Sequence, residues 1–257
     1  MMDVSDIPVW LINLDRATER RIQMEARLKE IGLKYQRFSA VDGRAQAASL
    51  EQTVDRRAFE CSVGRTLLPG EIGATHSHIA VWKEIANSGA EFGLVLEDDV
   101  VFHAEFNAAL AAAIATKDQW DFLKLNKIRA KIPLPQARIS EWTLNAYAGP
   151  CTGFGAYLIK ADLAKRLIKS MLPIRRPIDR ELDRIHVHKF RHLGLEPFPS
   201  HVDDGNVSTI TGRNSESVKK FKIYRRLPDY GSRLETSFCK FIWLVQSGQI
   251  RKWIDFR

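Results

Sequence analysis

Residues 92–96 (FGLVL) form an unbroken apolar run of strand length, and the run ends directly in three carboxylates, Glu97, Asp98 and Asp99. A strand that is apolar at every position has no face to give to water. It belongs inside a sheet covered on both sides, as in parallel α/β folds. The N-terminal segment supplies a matching unit. PVWLINL (8–14) is another strand-length run, and a helical pattern follows from Arg16, with Asp15 placed to cap it and Gly32 to end it. Ile22, Leu28 and Ile31 are its apolar positions. The alternating KYQRFSAV (34–41) then closes at Asp42-Gly43. Strand, helix and strand at this spacing predict a right-handed parallel crossover.

The rest of the chain continues the alternation. Residues 44–68 have weak periodicity and read as a mobile or helical excursion, and Pro69 opens a helix running to Ser88. An Ala-rich helix is expected over 104–116, a strand over 121–125, and a loop around Pro133 and Pro135. The glycine-rich stretch Gly149–Gly155 precedes a strand at 156–159, a helix at 162–171 and a further helical stretch at 179–193. The expected class is α/β, with a mostly parallel central sheet flanked by helices.

The acids at the end of the apolar strand carry the sharpest chemical signal. Adjacent carboxylates repel, so a cluster of them becomes favourable beside a cation. Mg²⁺ or Mn²⁺ is commonly held by one or two carboxylates together with substrate phosphates. The ends of parallel strands are also where open α/β sheets present ligands. Alternation along an extended chain would set Glu97 and Asp99 on one side and Asp98 on the other. A solvated acidic turn with helix-capping duties accounts for the same three residues equally well. Asn13 ends the first strand, with Arg16, Arg20 and Arg21 just beyond it. Guanidinium groups there suit a diphosphate, while a solvated helix with Glu19 and Glu25 as partners is the plainer alternative. His186, His188 and His192 lack a His-Glu-x-x-His pattern and read as a basic helix face. Trp82 and Trp120 read as core, and Trp142 and Tyr147 as candidates to stack on a sugar.

The runs INLDRATERR, RFSAVDGR, LLPGEIGATHSHIAVWKEI, LVLEDDVVF, TGFGAYLIKADLAKRLI and PIDREL, in this order over roughly residues 7–210, resemble glycosyltransferase family 25. That family contains bacterial lipooligosaccharide galactosyltransferases and animal collagen galactosyltransferase domains. The resemblance implies a GT-A fold over residues 1–218, a UDP-sugar donor (usually UDP-galactose), a divalent metal (Mn²⁺ or Mg²⁺) and inversion at the anomeric carbon. It makes EDD a variant DxD motif, with Asp99 as direct metal ligand and Glu97 and Asp98 holding donor ribose or metal-bound water. Asn13, Arg16, Arg20 and Arg21 become the donor-proximal wall, and Glu71, Ser77 and His78 line the nucleotide pocket. The sequence departs from the family pattern at Ala74, usually Cys, and at His76, usually Leu. Inversion by one displacement needs a base for the acceptor hydroxyl. Asp179, presented at a helix start after Pro177, is the candidate, and a plain N-cap acid is the alternative role. Asp183, a turn later, is the reserve, and His201 is a possible second metal ligand. A nucleotidyltransferase is the other enzyme reading, since it shares the strand-plus-carboxylate plan.

Charge is unevenly spread. The chain has a formal net charge of +8, and residues 219–257 carry ten bases against three acids, leaving the first 218 residues nearly neutral. Aromatics interleave the bases, among them Phe238, Phe241 and Trp243. Basic and aromatic together describe an anionic membrane surface or a single-stranded nucleic acid. A helix packing Phe238, Phe241, Trp243 and Val245 on the body is the structural alternative. The membrane is the expected partner of this C-terminal segment, beside a glycolipid or oligosaccharide acceptor, and nucleic acid is not expected. Three scattered cysteines and an acidic N-terminus without a long apolar run imply a cytoplasmic protein, peripheral on the inner face of the membrane.

Overall fold

The computed structural model of the chain describes residues 4–203 and 220–256. Strand β1 (Val9–Asn13) is buried throughout, and helix α1 (Thr18–Glu30) leads to β2 (Gln36–Ser39), which pairs parallel to β1. The crossover is present, but its helix starts later than expected. Ala17 is the N-cap, and the Asp15 carboxylate instead accepts from Arg37 and the Ser39 hydroxyl. Ile22 is exposed, and Met24 joins Leu28 on the buried face. The excursion that follows contains two short helices, α2 (Ala47–Leu50) and α3 (Arg56–Val63), the second capped by Asp55.

Helix α4 (Pro69–Asn87) begins at the expected proline, whose missing N–H is an unneeded donor at a helix start. Strand β3 (Phe92–Glu97) pairs parallel to β1. Next come β4 (Val100–Phe102), α5 (Phe106–Ala115), β5 (Phe122–Lys124), β6 (Asn126–Lys127) and β7 (Arg129–Ala130). The segment around Pro133 and Pro135 is not a loop. It is strand β8 (Pro133–Ile139), hairpinned to β9 (Trp142–Tyr147). β8 is the outer edge of the sheet and is bulged between Pro135 and Ala137, which are the two situations in which a strand accepts proline.

Strand β10 (Cys151–Thr152) pairs with β7, and β11 (Ala156–Lys160) enters the middle of the large sheet before α6 (Ala161–Ile168). The helix expected over 179–193 is broken. Its residues form α7 (Ile178–Leu182), α8 (Ile185–His188) and then β12 (His192–Glu196). Lys189, at φ 51° in the left-handed region, ends α8. Strand β13 (Ser200–Val202) pairs with β4 and β6, and helices α9 (Leu227–Gln246) and α10 (Gln249–Phe256) follow.

The eight-stranded sheet has the order β2-β1-β3-β11-β5-β12-β9-β8. Strands β11 and β9 run against the other six, so the α/β class and the predominantly parallel strand direction match the expectation. Leu94, Val95 and Leu96 of β3 are wholly buried, each contributing about 2 kcal/mol of burial. Trp82 and Trp120 are core as predicted. The C-terminal helices lie on this body, α9 against α3 and α8, and α10 against β8. The expected boundary at 218/219, with Lys219, lies outside the described residues, as does Arg257.

Candidate active site

Register places the site. Ile12 of β1 stands opposite Glu97 of β3, so both strands end at the same level, beside a cavity of about 110 Å³. The β3 side contributes Glu97, Asp98 and Asp99, and the β1–α1 junction contributes Arg16 and Arg20. The third wall is the loop after β2, with Val41, Asp42, Gly43 and Arg44, held against α4. Two glycines make that contact possible. A Cβ on Gly43 would lie 1.9 Å from the Pro69 carbonyl, and one on Gly73 would lie 2.4 Å from that of Val41. The Ser77 hydroxyl completes the join, accepting from the Val41 N–H at 2.8 Å and donating to the Gly73 carbonyl at 2.8 Å.

The acids do not alternate in and out as an extended chain would, because β3 ends at Glu97 and the next two residues turn. Arg20 therefore reaches both Asp98 (2.6 Å) and Asp99 (2.7 Å), and the Asn13 amide donates to Asp98 at 2.7 Å. Arg16 pairs with Asp42 at 2.6 Å. Asp99 Oδ1 is buried with no hydrogen-bond partner. Desolvation and the nearby Glu97 charge, against the opposing pull of Arg20, push the Asp99 carboxyl up to about 7. Desolvation also raises Asp98, against Arg20 and the Asn13 hydrogen bond.

Such a carboxylate gains from a cation. Among the described residues no three His, Cys, Asp or Glu side chains are arranged to hold a metal alone. The donor set fits a hard divalent ion that takes one or two carboxylates from the protein and the rest of its shell from phosphate and water.

His78 has its orientation fixed from behind. Tyr157, whose hydroxyl stays protonated because burial raises its pKa far above the usual value, accepts from Trp82 Nε1 at 2.9 Å. Its one proton then goes to His78 Nδ1 at 2.8 Å, so Nε2 bears the hydrogen and donates to Glu97 at 3.1 Å. The chain Trp82–Tyr157–His78 thus aims Glu97 into the cavity.

Of the predicted donor wall, Arg16, Arg20, Ser77, His78, Glu97, Asp98 and Asp99 line one cavity. Asn13 stands behind it, bridging Asp98 and Arg37. Arg21 is outside, one helical turn from Glu25 at 3.7 Å. Glu71 is also outside, because it closes the start of α4: it accepts from the Leu68 N–H and forms a two-pronged pair with Arg65. Sequence reasoning missed Asp42 and Arg44, although Asp42-Gly43 was visible as a turn signal. Ala74, where the family has Cys, lines the cavity, whereas His76 turns away to Thr53.

Asp179 does not line that cavity; it stands partly exposed at the start of α7, where it accepts from the Arg180 N–H at 2.8 Å and the Gly153 N–H at 3.2 Å. Desolvation raises its pKa, which suits a proton acceptor. Lys124, also missed, is fully buried and clamps the Thr152 and Gly153 carbonyls, holding the turn that meets Asp179. Asp183 is committed elsewhere, to the Lys240 ammonium at 2.5 Å and the Cys151 N–H at 3.0 Å.

The remaining candidates do not line the cavity of the acids. His201, on β13, bonds His103 at 2.9 Å. His188 pairs with Glu181 and His192 is buried on β12, so the three histidines share no helix face. Trp142 and Tyr147 are core residues and cannot stack on a sugar, and the Tyr147 hydroxyl is spent on Glu196.

Comparison with known proteins gives a consistent picture. The family described as "Glycosyltransferase family 25 (LPS biosynthesis protein)" matches residues 6–182. Procollagen galactosyltransferase 1 of Danio rerio is 28% identical over 241 residues, covering 82% of this chain and 40% of that protein. Procollagen galactosyltransferase 2 of Homo sapiens is 29% identical over 192 residues, covering 65% and 29%. A Bos taurus protein named "Probable inactive glycosyltransferase 25 family member 3" is 30% identical over 181 residues, covering 66% and 30%. The chain thus spans less than half the length of these relatives.

Proposed function

Because the chain belongs to glycosyltransferase family 25, we propose that it moves galactose from UDP-galactose to a hydroxyl of a lipooligosaccharide or lipopolysaccharide core, with inversion. The buried, unpartnered Asp99 Oδ1 in an arginine-flanked cavity carries this reading. Asp99 and Glu97 would hold Mn²⁺ or Mg²⁺, and Arg16 and Arg44 would face the diphosphate. A divalent ion bound there supplies stabilisation of the negative charge that grows on the departing diphosphate. Asp98, fixed by Asn13 and Arg20, would face the donor ribose. Asp179 takes the acceptor proton as the acceptor oxygen bonds the anomeric carbon, the bond from that carbon to the β-phosphate breaks, and UDP leaves.

The same proposal places the protein at the inner face of the cytoplasmic membrane. Among the described residues no helix is long and apolar enough to cross it. Helix α9 instead exposes Leu234, Phe238, Phe241 and Val245 at 73%, 68%, 50% and 51%, spaced as one helical face. Exposed Lys222, Arg225, Arg251 and Lys252 flank it, so its occupant is an anionic lipid surface.

Calorimetric titration of the folded chain with UDP and UDP-galactose tests the enzymatic reading. Uptake should need Mn²⁺, vanish with EDTA, and be followed by slow release of UDP. No manganese-assisted uptake of any UDP-sugar overturns it, as does pyrophosphate as the product.

A further inference from the structure

A second cavity, of about 100 Å³, shares no lining residue with the first. Five arginines reach it from three parts of the chain: Arg129, the group Arg176, Arg180 and Arg184 around α7, and Arg233 of α9. Their carboxylate partners are few. Arg176 and Arg184 share Glu181, at 2.8 and 3.3 Å. Arg180 and Arg233 share the buried Asp229, at 3.0 and 2.9 Å. Asp183, the acid in the lining, is already neutralised by Lys240. Arg129 has no carboxylate partner among the described residues. With the Asp179 carboxylate beside Arg180 counted, six cations meet four anions around this space.

A guanidinium carries five N–H donors, so one shared carboxylate leaves most of each fork unused. Hydroxyls of Thr152, Ser232, Thr236 and Ser237 add further donors. Donors converge here and acceptors are scarce, which is the chemistry of an oxyanion site.

Its position says which molecule brings the anion. Asp179 accepts from the Gly153 N–H, and the chain neighbours of these two residues, Arg180 and Thr152, line the cavity. The space therefore opens beside the proposed base and away from the acidic triplet. We propose that this cavity binds a phosphate or carboxylate group carried by the acceptor saccharide, an inference that rests on the proposed transferase reaction.

Glucose 6-phosphate, glucuronate and neutral glucose are the probes, titrated calorimetrically at low salt with and without saturating UDP. At least one sugar anion should bind in both conditions, glucose should not, and which anion binds identifies phosphate or carboxylate as the group. The double variant Arg129→Gln/Arg184→Gln keeps Glu181 paired through Arg176 and His188. It should weaken sugar-anion binding at least about tenfold, by loss of charge-assisted hydrogen bonds, and leave the UDP affinity and thermal midpoint unchanged. Absence of binding by either sugar anion, unchanged binding in the folded variant, or competition with UDP would each overturn the proposal. Failure of the donor reading would show separately, as loss of UDP uptake with sugar-anion binding intact.

Discussion

Around Asp99, four carboxylates crowd a cavity in which one guanidinium, Arg20, serves two of them. Beside α7 the proportions are reversed, with five arginines lining a cavity and two carboxylates, Glu181 and Asp229, that each serve two of them. Both cavities form where elements distant in sequence meet, and both are short of counter-charge, in opposite senses. Such imbalance costs a folded chain self-repulsion, which a bound cation would relieve in the first and a bound anion in the second. On the proposed reading, charge type separates the donor side of the site from the acceptor side.

The comparison can be broken first at its structural root. Lys240 is almost fully buried on Asp183, so Lys240→Met should strand a buried charge and cost about 3–5 kcal/mol. Urea unfolding would measure this, and a cost below about 1 kcal/mol would mean that the pair anchors nothing. Glu181 comes next. Burial pushes its carboxyl up, but His188 and Arg176 outweigh that and bring it from 4.5 to about 2. Its contribution is thus present above pH 4.5 and is lost as the pH falls towards 2, a window worth about 3 kcal/mol. Glu181→Gln should flatten that acid limb in stability measured against pH, and an unaltered limb would refute the pairing.

On the acidic side, Asp99→Ala should lower turnover by about 100-fold or more, as loss of an electrostatic stabiliser does. Unchanged turnover in folded protein would remove Asp99 from the metal site. The smallest effect belongs to the exposed face of α9. Arg251→Gln/Lys252→Gln should weaken flotation with phosphatidylglycerol-containing vesicles by about 1 kcal/mol per charge, while sparing transfer to a soluble acceptor. Equal flotation would refute the membrane role.

What could be read from sequence follows from how local each signal is. The β1–α1–β2 crossover, α4 and β3 were legible because periodicity, a proline start and an apolar run lie within single segments. The β8–β9 hairpin was not, since the prolines that argue against a strand are tolerated at an edge that only the assembled sheet defines. The division of residues 179–193 was hidden for a related reason: a left-handed Lys189 ends the helix, and lysine does not advertise that conformation. At the site, the strand-end acids and Arg20 were visible in two short motifs. The Val41–Arg44 wall depends on a glycine-to-glycine contact across thirty residues, and the arginine cavity on three separate stretches, so neither has a local signature.

Helix α9 plugs Lys240 onto Asp183 and offers Asp229 to Arg180, the immediate neighbour of Asp179. A shortened chain that stopped before this helix would lose more than an adhesive appendage. It would leave two ions behind without their mates, next to the residue assigned to collect the proton. Helix α9 is thus a keystone of the proposed acceptor side, and anyone seeking a minimal catalytic fragment should expect to keep it.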